Sequence, residues 1–334
     1  MASFEFLTPQ TLPEAVDLLA SWGEEAAVVA GATDLWVNIR SGKLAPKALV
    51  SLRALPSMRS LRHAGGDGNG GPGDGARTPG AATGTTLPGG AAGGGAASIA
   101  AGASPSGGAL TIGAATPHAD IEDSLWVAEH FPALQQACAS LGSRQVRNVG
   151  TLGGNICNAA PCADSATALM LYDATVVLQG PDGERELPLG EFFIGPGQTR
   201  RGPAEVLTQI RVADPGPRTY SGYLKHTRRK GVELAMMSVG ARVTLAEDGL
   251  TVRRARISLG VCAPTPTCSA GGELFLEGKP LTRENVARAA EIAAEESRVR
   301  DSWRGKAWYR REMIRVLVPR VIEQSGAFAA VETR

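Results

Sequence analysis

The chain has no charge excess, no membrane-length apolar run and no metal-binding signature. Its 334 residues carry 34 basic and 33 acidic side chains, a formal charge of +1. That balance gives neither nucleic acid nor an anionic membrane an electrostatic reason to bind. No apolar stretch approaches the roughly 20 residues that span a bilayer. The first residues, Met-Ala-Ser-Phe-Glu-Phe, lack a basic stretch followed by an apolar one. No signal peptide is therefore expected, and a cytoplasmic protein is. The five cysteines are an odd count in a long chain, which argues against a disulfide framework. Cys157 and Cys162 open like a plant-type iron–sulfur signature, but Ala163, Asp164 and Ser165 follow where a Cys-x-x-Cys is needed. Buried thiols are the expectation there, with a cluster as the alternative. The four histidines show no zinc-ligand spacing, so no metal site is expected.

The first 55 or so residues read as βαβαβ. Phe4-Glu5-Phe6 is a short strand, and Thr11-Leu12-Pro13-Glu14 is a capping box with proline in the first turn. A helix follows with Ala15, Val16, Leu19 and Ala20 on one face, stopped by Gly23. Ala26 to Ala30 is an uninterrupted apolar run, as in a parallel strand buried on both faces. Gly31 turns the chain, Thr33 is placed to cap, Leu35 to Arg40 is helical, and Ala48 to Leu52 returns as a strand. Right-handed crossovers make this a small parallel sheet.

Residues 64–108 differ in kind. Seventeen of them are glycine, and Leu87 and Ile99 are the only large aliphatics. Such a segment buries too little apolar surface to offset its ordering entropy. It reads as a flexible loop inserted between strands at Ser60-Leu61-Arg62 and Leu110-Thr111-Ile112. Beyond it, Thr116-Pro117-His118 is a cap-like helix start, and Leu134, Ala137, Cys138 and Leu141 have helical spacing. Ala166 to Tyr172 is helical, and strands are expected at 174–179, 205–211, 220–226, 239–245 and 255–261. Hairpin turns fall at Asp182-Gly183 and Glu247-Asp248-Gly249. From Thr282 the chain is helical, and Pro319 should kink or shorten a last helix that starts near Trp308.

Two glycine segments carry the chemistry. Gly31 stands between a strand and a helix, so its turn and the helix N-terminus offer N–H groups to a phosphate. A Rossmann G-x-G-x-x-G is absent, and a glycine that merely turns the chain is the plain alternative. Thr151-Leu152-Gly153-Gly154-Asn155 pairs two glycines, which permit positive φ and close backbone approach, with a flanking hydroxyl and amide. An ordinary hairpin is the alternative there.

The run Gly150-Thr151-Leu152-Gly153-Gly154-Asn155-Ile156-Cys157-Asn158-Ala159-Ala160-Pro161-Cys162-Ala163-Asp164 resembles the FAD-binding medium subunit of molybdenum hydroxylases, the xanthine dehydrogenase and carbon monoxide dehydrogenase family. Ala30-Gly31-Ala32-Thr33-Asp34-Leu35 is similar to that family's Ala-Gly-Gly-Thr-Asp-Leu segment, and Phe192-Phe193-Ile194-Gly195-Pro196-Gly197 to its Phe-Phe-x-Gly-x-Gly loop. Lys225-His226-Thr227-Arg228-Arg229 and Arg304-Gly305 through Tyr309-Arg310-Arg311 resemble C-terminal segments. Two departures stand out. Ala32 replaces the usual second glycine, and there is no four-cysteine set for the extra 4Fe-4S loop of 4-hydroxybenzoyl-CoA reductases.

The resemblance implies an α+β fold. Residues 1–58 and 59–215 would be two lobes of an FAD domain of the vanillyl-alcohol-oxidase (PCMH) type, the second carrying the 64–108 insertion. Residues 219–325 would be an antiparallel sheet with a helical bundle. It implies FAD held by Val28, Val29, Ala30, Gly31, Ala32, Thr33, Asp34 and Leu35, and by Thr151, Leu152, Gly153, Gly154 and Asn155. Asp164 would bond the cofactor, Leu141 and Leu207 would be its apolar neighbours, and Lys225 would favour the reduced, anionic flavin. Asp164 also reads as a helix N-cap, and Lys225 as a solvated strand residue. Arg228-Arg229-Lys230 reads as an exposed loop or as a docking site for a partner subunit. No side chain is assigned as catalytic. Molybdopterin and 2Fe-2S clusters would reside on a large and a small partner subunit. Electrons would pass through FAD to NAD, oxygen or a quinone. A stand-alone FAD oxidase or dehydrogenase is the rival reading.

Overall fold

The structure is a computed structural model that describes residues 4–63, 109–229 and 231–333. The glycine-rich stretch 64–108 and Lys230 lie outside the described residues. Strand β1 (Glu5–Leu7), helix α1 (Leu12–Trp22), β2 (Ala26–Val29), α2 (Leu35–Arg40) and β3 (Ala48–Ser51) form a parallel sheet in the order β1-β3-β2. Thr11 caps α1 by accepting the Glu14 N–H, and Gly23 at φ 54 ends it. Ala15, Val16 and Leu19 are buried, whereas Ala20 is exposed. The strand buried throughout is β3, not the apolar run at β2. Topology explains the exchange: the third strand inserts between the first two and leaves β2 at an edge.

A second sheet joins β4 (Leu61–His63), β5 (Leu110–Gly113), β6 (Thr175–Gly180), β7 (Gly183–Pro188) and β10 (Val206–Val212), antiparallel throughout, in the order β4-β5-β10-β6-β7. Between β5 and β6 come six helices: α3 (His118–Glu122), α4 (Leu125–His130), α5 (Pro132–Ala139), α6 (Arg144–Val149), α7 (Leu152–Asn158) and α8 (Asp164–Met170). The short α9 (Leu189–Phe192) and the ribbon β8 (Phe193–Gly195) and β9 (Gln198–Thr199) complete this part. Thr116 does not cap α3. Its hydroxyl instead exchanges two hydrogen bonds with the Ser60 backbone, at 3.1 and 3.0 Å. One hydrophobic core runs from Ala15 of α1 to Tyr223 and so includes side chains of both these sheets.

The C-terminal sheet is antiparallel: β11 (Thr219–His226), β12 (Met237–Leu245), β13 (Val252–Gly260) and β14 (Thr267–Cys268). Helices α10 (Ala270–Leu276), α11 (Arg283–Glu296), α12 (Ala307–Gln324) and α13 (Ala327–Glu332) supply the rest of a separate core from Met237 to Phe328. Helix α12 continues five residues past Pro319. Leu317, Val318, Val321 and Ile322 are all buried, and their packing outweighs the single backbone bond that proline removes. No helix among the described residues is long and apolar enough to cross a membrane.

Candidate functional site

The two glycine segments meet. An added β-carbon on Gly31 would lie 2.8 Å from the Gly150 α-carbon, so the turn after β2 abuts the chain entering α7 at backbone distance. A β-carbon on Gly150 would in turn lie 3.4 Å from the Thr33 hydroxyl. Thr33 therefore faces this crossing; the N-cap of α2 is Asp34, whose side chain makes no capping bond. Ala32, at the family's second glycine, is left-handed at φ 60. Left-handed Ala32 turns the chain sharply between β2 and α2, and Asp34 is already right-handed at the start of the helix. Among the described residues, the N–H groups of Gly31, Ala32, Thr33, Asp34 and Leu35 meet no protein acceptor. Val28 and Val29 lie in β2, and Ala30 links that strand to the turn.

The second segment is built differently from the sequence expectation. Gly153 and Gly154 are not left-handed; they sit in the first turn of α7, capped by the Thr151 hydroxyl accepting the Gly154 N–H at 3.2 Å. Leu152 N–H donates to Thr116 O, Gly153 N–H to Ala114 O and Asn155 N–H to Thr151 O. The amides that looked free are thus satisfied by the protein. Gly153 is glycine because a β-carbon would be 2.5 Å from that of Ala114. Gly154 is exposed, and Asn155 Oδ1 accepts from Ser165 at the start of α8.

Asp164 and Lys225, widely separated in sequence, form an ion pair at 2.8 Å with side chains 5 % and 8 % exposed. Asp164 is the first residue of α8, not its cap, and its other oxygen accepts the Tyr223 hydroxyl at 2.5 Å. Burial pushes its carboxyl pKa up, against the pull of Lys225 and Tyr223. Tyr223 is pushed up likewise, by burial first and then by the adjacent carboxylate. Lys225 also donates to Ser140 O at 3.1 Å, which places it beside Leu141, just past the end of α5. Leu207 is buried in β10 at the register shift of its pairing with β6, and β10 packs against α7.

Two residues of this region were not singled out from sequence. Tyr223 shares the Lys225 face of β11, a two-residue offset that an alternation argument would have found. His118 is 1 % exposed under the crossing; its N–H donates to Gly150 O, and its Nδ1 lies 3.6 Å from Cys138 Sγ. Burial, then the Arg147 charge, lowers its pKa to about 4, opposed by a hydrogen bond with the Thr151 backbone. Only tertiary packing makes that histidine distinctive. The Phe192–Gly197 loop closes on the far end of α7, where Gly197 N–H donates to Ala159 O at 3.0 Å.

The chain is a mixed helix-and-sheet fold with one core shared by a parallel and an antiparallel sheet and a separate C-terminal core, and its sequence matches a class of flavoprotein subunits. Residues 2–69 and 101–215 match the FAD binding domain in molybdopterin dehydrogenase, and residues 222–325 match the CO dehydrogenase flavoprotein C-terminal domain. The chain belongs to this family: it is an FAD-binding subunit of the molybdenum hydroxylases and an oxidoreductase component. It is 28 % identical to the carbon monoxide dehydrogenase medium chain of Hydrogenophaga pseudoflava, over 98 % of each chain. It is 33 % identical to the xanthine dehydrogenase FAD-binding subunit of Escherichia coli O157:H7, over 66 % of this chain and 75 % of that one. The solved H. pseudoflava carbon monoxide dehydrogenase that lacks the Mo-pyranopterin moiety superposes with a TM-score of 0.81 at 28 % identity, covering 97 % and 98 % of the two chains.

Proposed function

We propose that this chain is the electron-transfer flavoprotein of a molybdopterin and iron–sulfur dehydrogenase. In this reading residues 1–58 and 59–215 are two lobes of a vanillyl-alcohol-oxidase (PCMH) type domain with FAD between them, and 219–325 is the C-terminal domain. The observation that carries it is the run of unpaired amides from Gly31 to Leu35 beside the Val149–Gly150 crossing. None of these five residues is buried, so water can serve their N–H groups, and a dinucleotide diphosphate supplies several oxygens that would take its place. Val28, Val29 and Ala30 lead the chain into that turn. Thr151 to Asn155 contribute the exposed Gly154 face and the Asn155 amide rather than free amides.

When bound, FAD supplies exchange of single electrons on one side and of pairs on the other. The chain's own residues orient and tune it. Lys225, fixed by the Ser140 carbonyl and by Asp164, which Tyr223 holds in turn, keeps a largely buried cation at a set place. Leu141 and Leu207 offer apolar contact. No residue is required as acid or base. Electrons come from 2Fe-2S clusters on a small subunit, fed by molybdopterin on a large one, and leave to NAD, oxygen or a quinone.

Purification from flavin-replete cells tests this. The chain, alone or in its complex, is expected to carry FAD that bleaches with dithionite. A colourless, flavin-free preparation would contradict the reading.

A further inference from the structure

Just after Lys225 the strand β11 ends at His226, whose carbonyl accepts the Met236 N–H at 2.9 Å, so Thr227–Arg229 and Gly231–Ala235 lie between the two. Glu233 ties these residues together, accepting from the Arg229 N–H at 2.8 Å and from Arg228 Nε at 3.4 Å. Val232 stands at φ 49, a left-handed backbone that β-branched residues rarely adopt. Backbone strain of this kind persists where the surroundings enforce it, and it clusters at functional sites.

A second segment abuts these residues. Ser302 and Gly305 exchange backbone bonds of 3.0 and 3.1 Å, leaving Trp303 and Arg304 at the tip of a tight turn. Buried Arg310 fixes that turn from below, donating to Ser302 Oγ and Arg300 O at 2.7 Å each. A β-carbon on Gly305 would lie 3.1 Å from Met236 Sδ, so the two segments form one unit. A cleft of about 670 Å³ opens between them. Its surroundings expose Trp303 (74 %), Val232 (60 %) and Leu234 (52 %). The guanidinium groups of Arg228 and Arg304 lie 5.2 and 4.5 Å from the centre of the Trp303 ring.

We propose that this Trp303–Arg304 turn, with Arg228, Arg229, Val232 and Leu234 beside it, is the docking surface for another protein subunit of the assembly. The facing patch on that subunit is an apolar recess rimmed by aspartate and glutamate. The proposal rests on the reading above that the chain works within a multi-subunit dehydrogenase. Charge sets the partner's sign: Arg228, Arg229 and Arg304 surround one carboxylate, Glu233, which two of them already engage. Tryptophan and arginine held rigid before contact are the side chains that dominate protein interfaces. A second copy is disfavoured because a two-fold interface would set these cations against themselves. Docking here brings the partner to the end of β11 that bears Lys225.

The test uses the chain purified with its FAD and, separately, the molybdopterin and iron–sulfur subunits stripped from the same complex. Affinity is measured across a salt series for the wild type, Trp303→Ala, Arg304→Glu and Leu234→Glu, with Trp36→Ala as an exposed control. Support is a Kd at least tenfold weaker for each of the three surface variants, a shallower salt dependence for Arg304→Glu, an unchanged control, and wild-type FAD content throughout. Wild-type affinity in the surface variants overturns the proposal. So does an effect confined to self-association, or one confined to binding of NAD. A wild-type chain that holds no FAD and joins no partner rejects the functional reading itself. A wild-type chain that does both, with indifferent variants, rejects only the docking surface.

Discussion

The turn at Gly31 rests directly on the carbonyl of Val149: a β-carbon on Gly31 would be 2.1 Å from that oxygen. The contact joins the parallel sheet to the segment that starts α7, and the unpaired amides follow on at once. Gly31→Ala must push the two segments apart. Overpacking of this kind costs typically 1–3 kcal/mol, about that here. Urea unfolding should show the loss, and FAD content should fall with it. A variant with wild-type stability and full FAD would refute the crossing.

Gly153 answers to a different neighbour. Gly153→Ala sets two β-carbons against each other at Ala114, and Ala114→Gly should restore part of the stability lost. A double-mutant cycle measures the coupling. Additive effects would show that Gly153 is needed for something other than this packing.

The Asp164–Lys225 pair is buried, so removing one partner strands the other. Asp164→Asn is expected to cost about 3–5 kcal/mol, as for other broken buried pairs. The reduction potential of the bound flavin should shift as well if Lys225 then moves. Thermal unfolding and a redox titration check the two separately. An unchanged stability would mean that the pair is hydrated in solution.

His118 makes stability depend on pH in one direction. Its folded pKa, about 4, lies below the ordinary 6.5, so between those values the unfolded chain takes up a proton that the folded chain refuses. Stability from this group is complete above pH 6.5 and falls away towards pH 4, by about 3 kcal/mol in all. Denaturation of the wild type and His118→Gln at a series of pH values gives the difference. Parallel curves would contradict it.

Much of this was legible in sequence, because local rules governed it. The α1 cap, the paired strands flanking residue 63 and residue 110, and the two glycine segments follow from turn and capping chemistry. What sequence misjudged depends on neighbours far along the chain. Strand order decided that β3 and not β2 is enclosed. The Thr151 cap takes the Gly154 amide and the Ala114 carbonyl takes that of Gly153, both of which a paired-glycine reading leaves free. Asp164 and Lys225 could each be named singly, but their contact, and the part Tyr223 plays in it, needed β11 folded back on α8.

The most direct test is a crystal structure of the FAD-loaded chain. The diphosphate oxygens should lie within hydrogen-bonding distance of the N–H groups between Gly31 and Leu35, next to the Val149–Gly150 crossing. A diphosphate seated elsewhere, with those amides still unbonded, would contradict the account.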